Sequence, residues 1–246
     1  MKKVWIGLLI VLAAAVASVF WLAIPPLSMP EALLALQSDN QVTVTEGRWT
    51  VFRPTQGTVR EGLVLYPGAR VDSHAYAPLA RAVAEKGFLV VIARMPLNLA
   101  VLDADAATPI LQAFPEITTW AIGGHSLGGA IAANYIIRHP DQIQGLVLWA
   151  AYPSDSDDLS AVGVQVLLIS ASQDGLTTGA LLEDARKLLP ANTRWVEIEG
   201  GNHAQFGWYG AQPGDHAAAI SREDQQAQIV LATVDFLQSL WESSNP

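Results

Sequence analysis

The chain has 246 residues, 51% of them hydrophobic and 15% charged, which is enough apolar material for one large domain and argues against disorder. A formal net charge of −9, with 14 Lys and Arg against 23 Asp and Glu and no basic stripe, argues against nucleic acid as a partner. The absence of cysteine excludes disulfides, thiolate metal sites and a cysteine nucleophile.

Lys2 and Lys3 precede an uncharged apolar run over residues 4–24, closed by Pro25 and Pro26. A helix of that length spans about 30 Å, the thickness of a bilayer's hydrocarbon core, whereas a secretory signal has an apolar region of only about 7–15 residues. Ala15-Val16-Ala17 has the form of a cleavage site, but Val19, Phe20, Trp21 and Leu22 carry the run past it. Residues 1–26 are therefore expected to be a membrane anchor, with a cleaved signal as the alternative. The flanking lysines place the N-terminus in the cytoplasm and the rest of the chain outside; cleavage would make it secreted.

Residues 27–40 read as a juxtamembrane linker with a short helix starting near Pro30. Residues 41–46 and 48–53 alternate as two strands around Gly47, the pattern of a hairpin. Beyond them, apolar runs at 62–66, 88–93, 118–122, 145–149, 165–170 and 194–198 suit strands covered on both faces. Helical patterns fall between and after them, at 75–86, 101–114, 127–138, 178–189 and 223–241. The alternation predicts an α/β domain over residues 41–246, with a mostly parallel sheet and helices on both faces. No internal repeat interrupts it.

Gly123-Gly124-His125-Ser126-Leu127-Gly128-Gly129 contains G-x-S-x-G, a string that chance produces in on the order of one chain in ten of this length. Its setting is more specific, because it follows a predicted strand and opens a predicted helix, as a nucleophile elbow does. Such a turn strains the serine backbone, and glycine at 124 and 128 relieves crowding against neighbouring chain. A serine hydroxyl is a weak nucleophile that needs a base, and the base needs an orienting group. In a strand–elbow–helix chain the order is Ser, acid, His. Asp174 follows the strand ending at 170 and is preferred to Asp155, Asp157 and Asp158, which read as a solvated acidic turn. His203 follows the last predicted strand. Of the other histidines, His74 precedes the acid, His125 lies inside the elbow and is expected to face away from the site, His139 ends a helix, and His216 lies further from the strand end. Two oxyanion donors are expected, the N–H of Leu127 and that of Ala69 in the loop Tyr66-Pro67-Gly68-Ala69-Arg70.

The ordered set Tyr66-Pro67-Gly68, Gly124-His125-Ser126-Leu127-Gly128-Gly129, Asp174 and Gly200-Gly201-Asn202-His203-Ala204-Gln205-Phe206-Gly207 resembles the α/β-hydrolase superfamily. Arg94-Met95-Pro96-Leu97-Asn98-Leu99 and Gln212-Pro213-Gly214-Asp215 are similar to its bacterial fold-5 branch. The resemblance covers about residues 42–242 and implies the α/β-hydrolase fold, a Ser126-Asp174-His203 triad and hydrolase activity, without choosing a substrate. Pro67 departs from the pattern, since many relatives carry His there. The expected activity is cleavage of a carboxylic ester or related acyl bond in a small-molecule substrate, through an acyl-enzyme and without a cofactor or metal. A thioesterase or acyltransferase would use the same residues, and an inactive binding or scaffold protein would keep the fold alone. Only about fifteen residues separate the strands at 145–149 and 165–170. No large cap domain is therefore expected. Phe206, Trp208 and Tyr209 are candidates for a substrate-pocket wall, or for packing of a long loop.

Overall fold

The computed structural model describes residues 25–244, together with Trp5 and Gly7. Apart from those two residues, the expected anchor over 4–24 lies outside the described residues. Among the described residues, no helix is long and apolar enough to cross a membrane.

The expected linker carries a short helix, α1 (Pro30–Leu34), and is docked on the domain. Ala32 is fully buried, Met29 N–H donates to Trp208 O at 2.8 Å, and Arg81 Nε donates to Ala35 O at 2.9 Å. The hairpin follows as β1 (Val42–Glu46) and β2 (Thr50–Pro54), paired antiparallel, with Gly47 N–H donating to Trp49 O in the connection. Six parallel strands complete the sheet: β3 (Glu61–Tyr66), β4 (Leu89–Ile92), β5 (Thr119–His125), β6 (Gly145–Trp149), β7 (Gln165–Ala171) and β8 (Arg194–Ile198). The spatial order is β1-β2-β4-β3-β5-β6-β7-β8, and β2 joins β4 antiparallel.

The inner strands β3 to β7 are apolar on both sides because both sides are covered, whereas the edge strands β1 and β8 keep exposed polar positions. Leu63, Leu65, Val90, Ile92, Val147 and Ile169 enter one core with α2 (Ala77–Ala84) and α6 (Arg222–Ser244). Their immediate neighbours Val64, Leu89, Val91, Leu146, Leu148 and Leu168 enter the other, with α3 (Ala107–Ala113), α4 (Leu127–Arg138) and α5 (Gly179–Ala185). This is the two-residue period of a strand sorting alternate side chains to opposite faces.

Three helices differ from the sequence expectation, and one of them, 178–189, ends as a 3₁₀ turn (Arg186–Leu188) after α5 (Gly179–Ala185). Residues 75–86 split into a 3₁₀ turn (Ser73–Tyr76) and α2, and residues 101–114 into a 3₁₀ turn (Ala100–Asp103) and α3. Pro78 and Pro109 explain both. Proline lacks an N–H and is tolerated only in a helix's first turn, so each fixes a helix start that apolar periodicity alone runs past.

The order β4-β3-β5 puts the reversal of strand order between β3 and β5, where Tyr66 pairs with Gly124. In open α/β sheets, the crevice beyond the strands' carboxyl ends at such a point takes the ligand.

Candidate active site

Ser126 stands alone between β5 and α4, with φ 53° and ψ −125°, in a region that non-glycine residues rarely adopt. Its N–H donates to Trp149 O at 3.0 Å, which ties the turn to the end of β6. The glycines two residues away are required by contact. A Cβ on Gly124 would lie 2.3 Å from Tyr66 O, and one on Gly128 would lie 2.1 Å from the same oxygen. β3 and the elbow therefore touch backbone to backbone.

Asp174 follows β7 and is buried, with its carboxylate fully committed. Oδ1 accepts the N–H groups of Leu176 and Thr177, each at 2.7 Å, and Oδ2 lies 2.8 Å from His203 Nδ1. A carboxylate in that position holds the proton on Nδ1 and leaves the Nε2 lone pair free. Nε2 is buried without a hydrogen-bond partner, so the structure joins Asp174 to His203 but does not bond His203 to Ser126. The base–nucleophile hydrogen bond often tightens only with substrate present.

The competing residues are occupied elsewhere. Asp157 accepts from Asn134 Nδ2 (2.9 Å) and Ser154 Oγ (2.8 Å), and Asp158 accepts from Ser160 N–H (2.9 Å). His74 pairs with Asp72 and Glu46, His139 with Asp105, and His216 is exposed.

At the elbow, Leu127 N–H belongs to the first turn of α4 and has no intrahelical acceptor. In the loop after β3, Gly68 N–H donates to the Tyr76 hydroxyl (3.0 Å) and Arg70 N–H to Asn98 O (2.8 Å). That leaves the N–H of half-buried Ala69 as the uncommitted donor of the three.

His125 does not turn away from the site. Position 125 shares strand parity with Ala121, so its side chain enters the core on the α2 and α6 side, where the loop carrying His203 also packs. The ring centroids of His125 and His203 are 4.4 Å apart, and Phe206 stacks on His125 at 5.6 Å and 12°. Burial holds the His125 pKa well below its usual 6.5; the charge on His203 adds to this, and the His203 carbonyl opposes it. His125 is therefore a neutral imidazole at neutral pH, with Nδ1 2.9 Å from the Tyr76 hydroxyl.

A cavity of about 310 Å³ opens beside Ser126, lined by Leu127, Ala130, Ala150, Ala151, Tyr152 and Leu176 among others. Phe206, Trp208 and Tyr209 do not line it. Phe206 and Tyr209 pack against His125, while Trp208 lines a separate groove between α2 and α6 with Pro78, Ala82 and Val230. The physical reason is the anchoring of the loop. Trp208 N–H donates to Ala75 O (2.8 Å), and the half-buried Arg222 guanidinium donates to Ala204 O (2.7 Å) and to Gly207 O, tying the loop to the 3₁₀ turn before α2 and to the start of α6. The loop-packing alternative describes these three residues. Besides Ser126 and the start of α4, the walls come from 150–154 and 176–177, loop positions without periodicity that sequence reasoning missed.

A family model described as the Alpha/beta hydrolase family matches residues 62–227, which include Ser126, Asp174 and His203. The chain belongs to the α/β-hydrolase family. Among solved structures, it is similar to a protein from Thermoplasma acidophilum described as a predicted CIB-like hydrolase (16% identity, 80% of this chain and 99% of that one, TM-score 0.60). It is also similar to Est1E from Butyrivibrio proteoclasticus (12% identity, 82% of this chain and 99% of that one, TM-score 0.59). These likenesses concern the fold, and the two structures are covered almost entirely. Among the described residues, β6 ends at Trp149 and β7 starts at Gln165, with no large cap inserted between them.

Proposed function

We propose that this α/β hydrolase is a serine hydrolase that cleaves a carboxylic ester or related acyl bond. The observation that carries the reading is the buried Asp174–His203 pair, bonded at 2.8 Å, at the same sheet edge as the strained Ser126. In the proposed cycle, His203 Nε2 takes the Ser126 proton as Oγ adds to the acyl carbonyl, and Asp174 steadies the imidazolium. The N–H groups of Leu127 and Ala69 hold the oxyanion. His203 returns the proton to the leaving alcohol, and water then cleaves the acyl-enzyme with the same base. The small walls at Ala130, Ala150 and Ala151 suit a compact acyl group in the cavity. The domain is proposed to sit on the outer side of the membrane, held there by residues 4–24.

One experiment tests both parts. Intact cells expressing the full chain are treated with a membrane-impermeant fluorophosphonate, and the lysed protein is assayed on p-nitrophenyl esters of increasing chain length. Wild type should be labelled in the membrane fraction and hydrolyse the shorter esters, and Ser126→Ala should do neither while keeping its circular dichroism. Hydrolysis by the alanine variant would remove the serine mechanism; labelling only after lysis would remove the outward orientation.

A further inference from the structure

The Gln212-Pro213-Gly214-Asp215 segment has no part in the proposed acyl transfer, yet it lies between the two loops that carry its acid and its base. Pro213 and Gly214 are the central residues of a β-turn closed by Asp215 N–H to Gln212 O at 3.1 Å, and Gly214 has φ +89°, which suits Pro-Gly in a type II turn. The turn seats directly on the acid loop, where a Cβ on Gly175 would lie 2.3 Å from Gly214 O. Seated there, the Asp215 carboxylate meets both loops. Oδ1 accepts Gly175 N–H (3.1 Å), His203 N–H (3.2 Å) and the adjacent His216 N–H (3.0 Å), and Oδ2 accepts Ala204 N–H (2.8 Å).

We propose that Asp215 is a positioning residue that clamps the His203 loop to the Asp174 loop and so fixes the distance between base and acid. The inference rests on the serine hydrolase reading for its catalytic consequence, and on hydrogen bonds alone for its structural one. A carboxylate bonded to backbone N–H groups forms charge-assisted bonds stronger than neutral ones, and it satisfies donors on both loops with one side chain. Removing it does not unmake the His203 loop. Asn202 remains bound to Gln225 through N–H to Oε1 (2.9 Å) and O to Nε2 (2.8 Å), and Ala204 O remains bound to Arg222. Gln173 N–H to Gly201 O (2.8 Å) and Gly200 N–H to Ser172 Oγ (2.8 Å) still join the two loops at their bases, and what is lost is the tie at the level of Gly175, His203 and Ala204.

The test uses the full chain with Asp215→Ala and Asp215→Asn. For each protein, kcat and KM on a p-nitrophenyl ester, the thermal midpoint, and the downfield proton NMR resonance of the Nδ1–H between His203 and Asp174 are measured. Asp215→Ala should lower kcat by about 100-fold with KM within about twofold, because Asp215 orients the base and does not line the cavity. Its downfield resonance should broaden or vanish. Asp215→Asn, which keeps one acceptor oxygen, should fall between it and wild type on both readouts. A folded Asp215→Ala with wild-type kcat and an unchanged resonance overturns the proposal. If the alanine variant does not fold, an unchanged resonance and kcat in Asp215→Asn overturns it equally. Wild type that fails to react with a fluorophosphonate removes the serine hydrolase reading instead, and the resonance still reports on the clamp.

Discussion

The Tyr76 hydroxyl accepts the Gly68 N–H at 3.0 Å and faces His125 Nδ1 at 2.9 Å, so one buried oxygen joins the loop after β3 to the last residue of β5. Burial pushes its pKa far above the usual value for a phenol, so it stays protonated and can donate to His125. Tyr76→Phe keeps the ring but orphans the Gly68 N–H and His125 Nδ1, at a cost of roughly 1–3 kcal/mol for each group left unsatisfied. The expected result is a lower urea midpoint together with a drop of about tenfold in kcat, because Gly68 carries Ala69, the proposed oxyanion donor. A phenylalanine variant with unchanged stability would show that these bonds contribute nothing. Nothing in the sequence marked Tyr76, since an aromatic residue in an apolar stretch reads as core. That Asp174 and His203 meet was legible, because strand ends in Ser–acid–His order admit few candidates. Phe206, Trp208 and Tyr209 were not, because a loop has no period to say which way its side chains point.

At the scale of elements, every strand of the sheet was legible, the hairpin from its alternation around a glycine and the inner strands from short runs of Val, Ile and Leu covered on both faces. The edges were less so. The strand expected to stop at residue 122 runs to His125 as β5, because Gly123, Gly124 and His125 continue pairing with Val147, Leu148 and Trp149 although none of the three carries an aliphatic side chain. That continuation delivers Ser126 to the sheet edge and leaves no slack between strand and helix. Gly128→Ala should therefore do more than a usual helix substitution, which favours alanine over glycine by about 1 kcal/mol. Its Cβ would lie 2.1 Å from Tyr66 O, in rigid backbone on both sides. The variant should be destabilised despite its better helix propensity, and it should lose fluorophosphonate labelling as α4 moves off β3. A gain in thermal midpoint with labelling retained would contradict the close approach.

At the scale of the whole molecule, two histidines make stability depend on pH in opposite directions. Unfolded, both titrate near 6.5. His125 is buried and has its pKa lowered, so as pH falls below 6.5 the unfolded chain binds a proton that the folded one refuses, and stability is lost on the acid side. His74 is the reverse. The hydrogen bond that the His74 ring donates to Asp72 raises its pKa, burial opposes this, and the charges of Asp72 and Glu46 raise it further while Arg94 lowers it. Its contribution is complete below 6.5 and is lost as pH rises through the folded value. Asp72 itself is lowered from 3.8, first by the His74 hydrogen bond, so its contribution fades only in stronger acid. The pair ties the end of β1, through Glu46, to the turn that leads into α2, and it should be strongest between these limits. Thermal midpoints of wild type and His74→Gln, measured from about pH 5 to 9, isolate the term because the other histidines are common to both. The wild-type advantage should be largest below pH 6.5 and shrink steadily above it. An advantage that grew with pH would mean that His74 is held neutral, and that the Asp72–His74–Glu46 contact is not the ion pair its geometry describes.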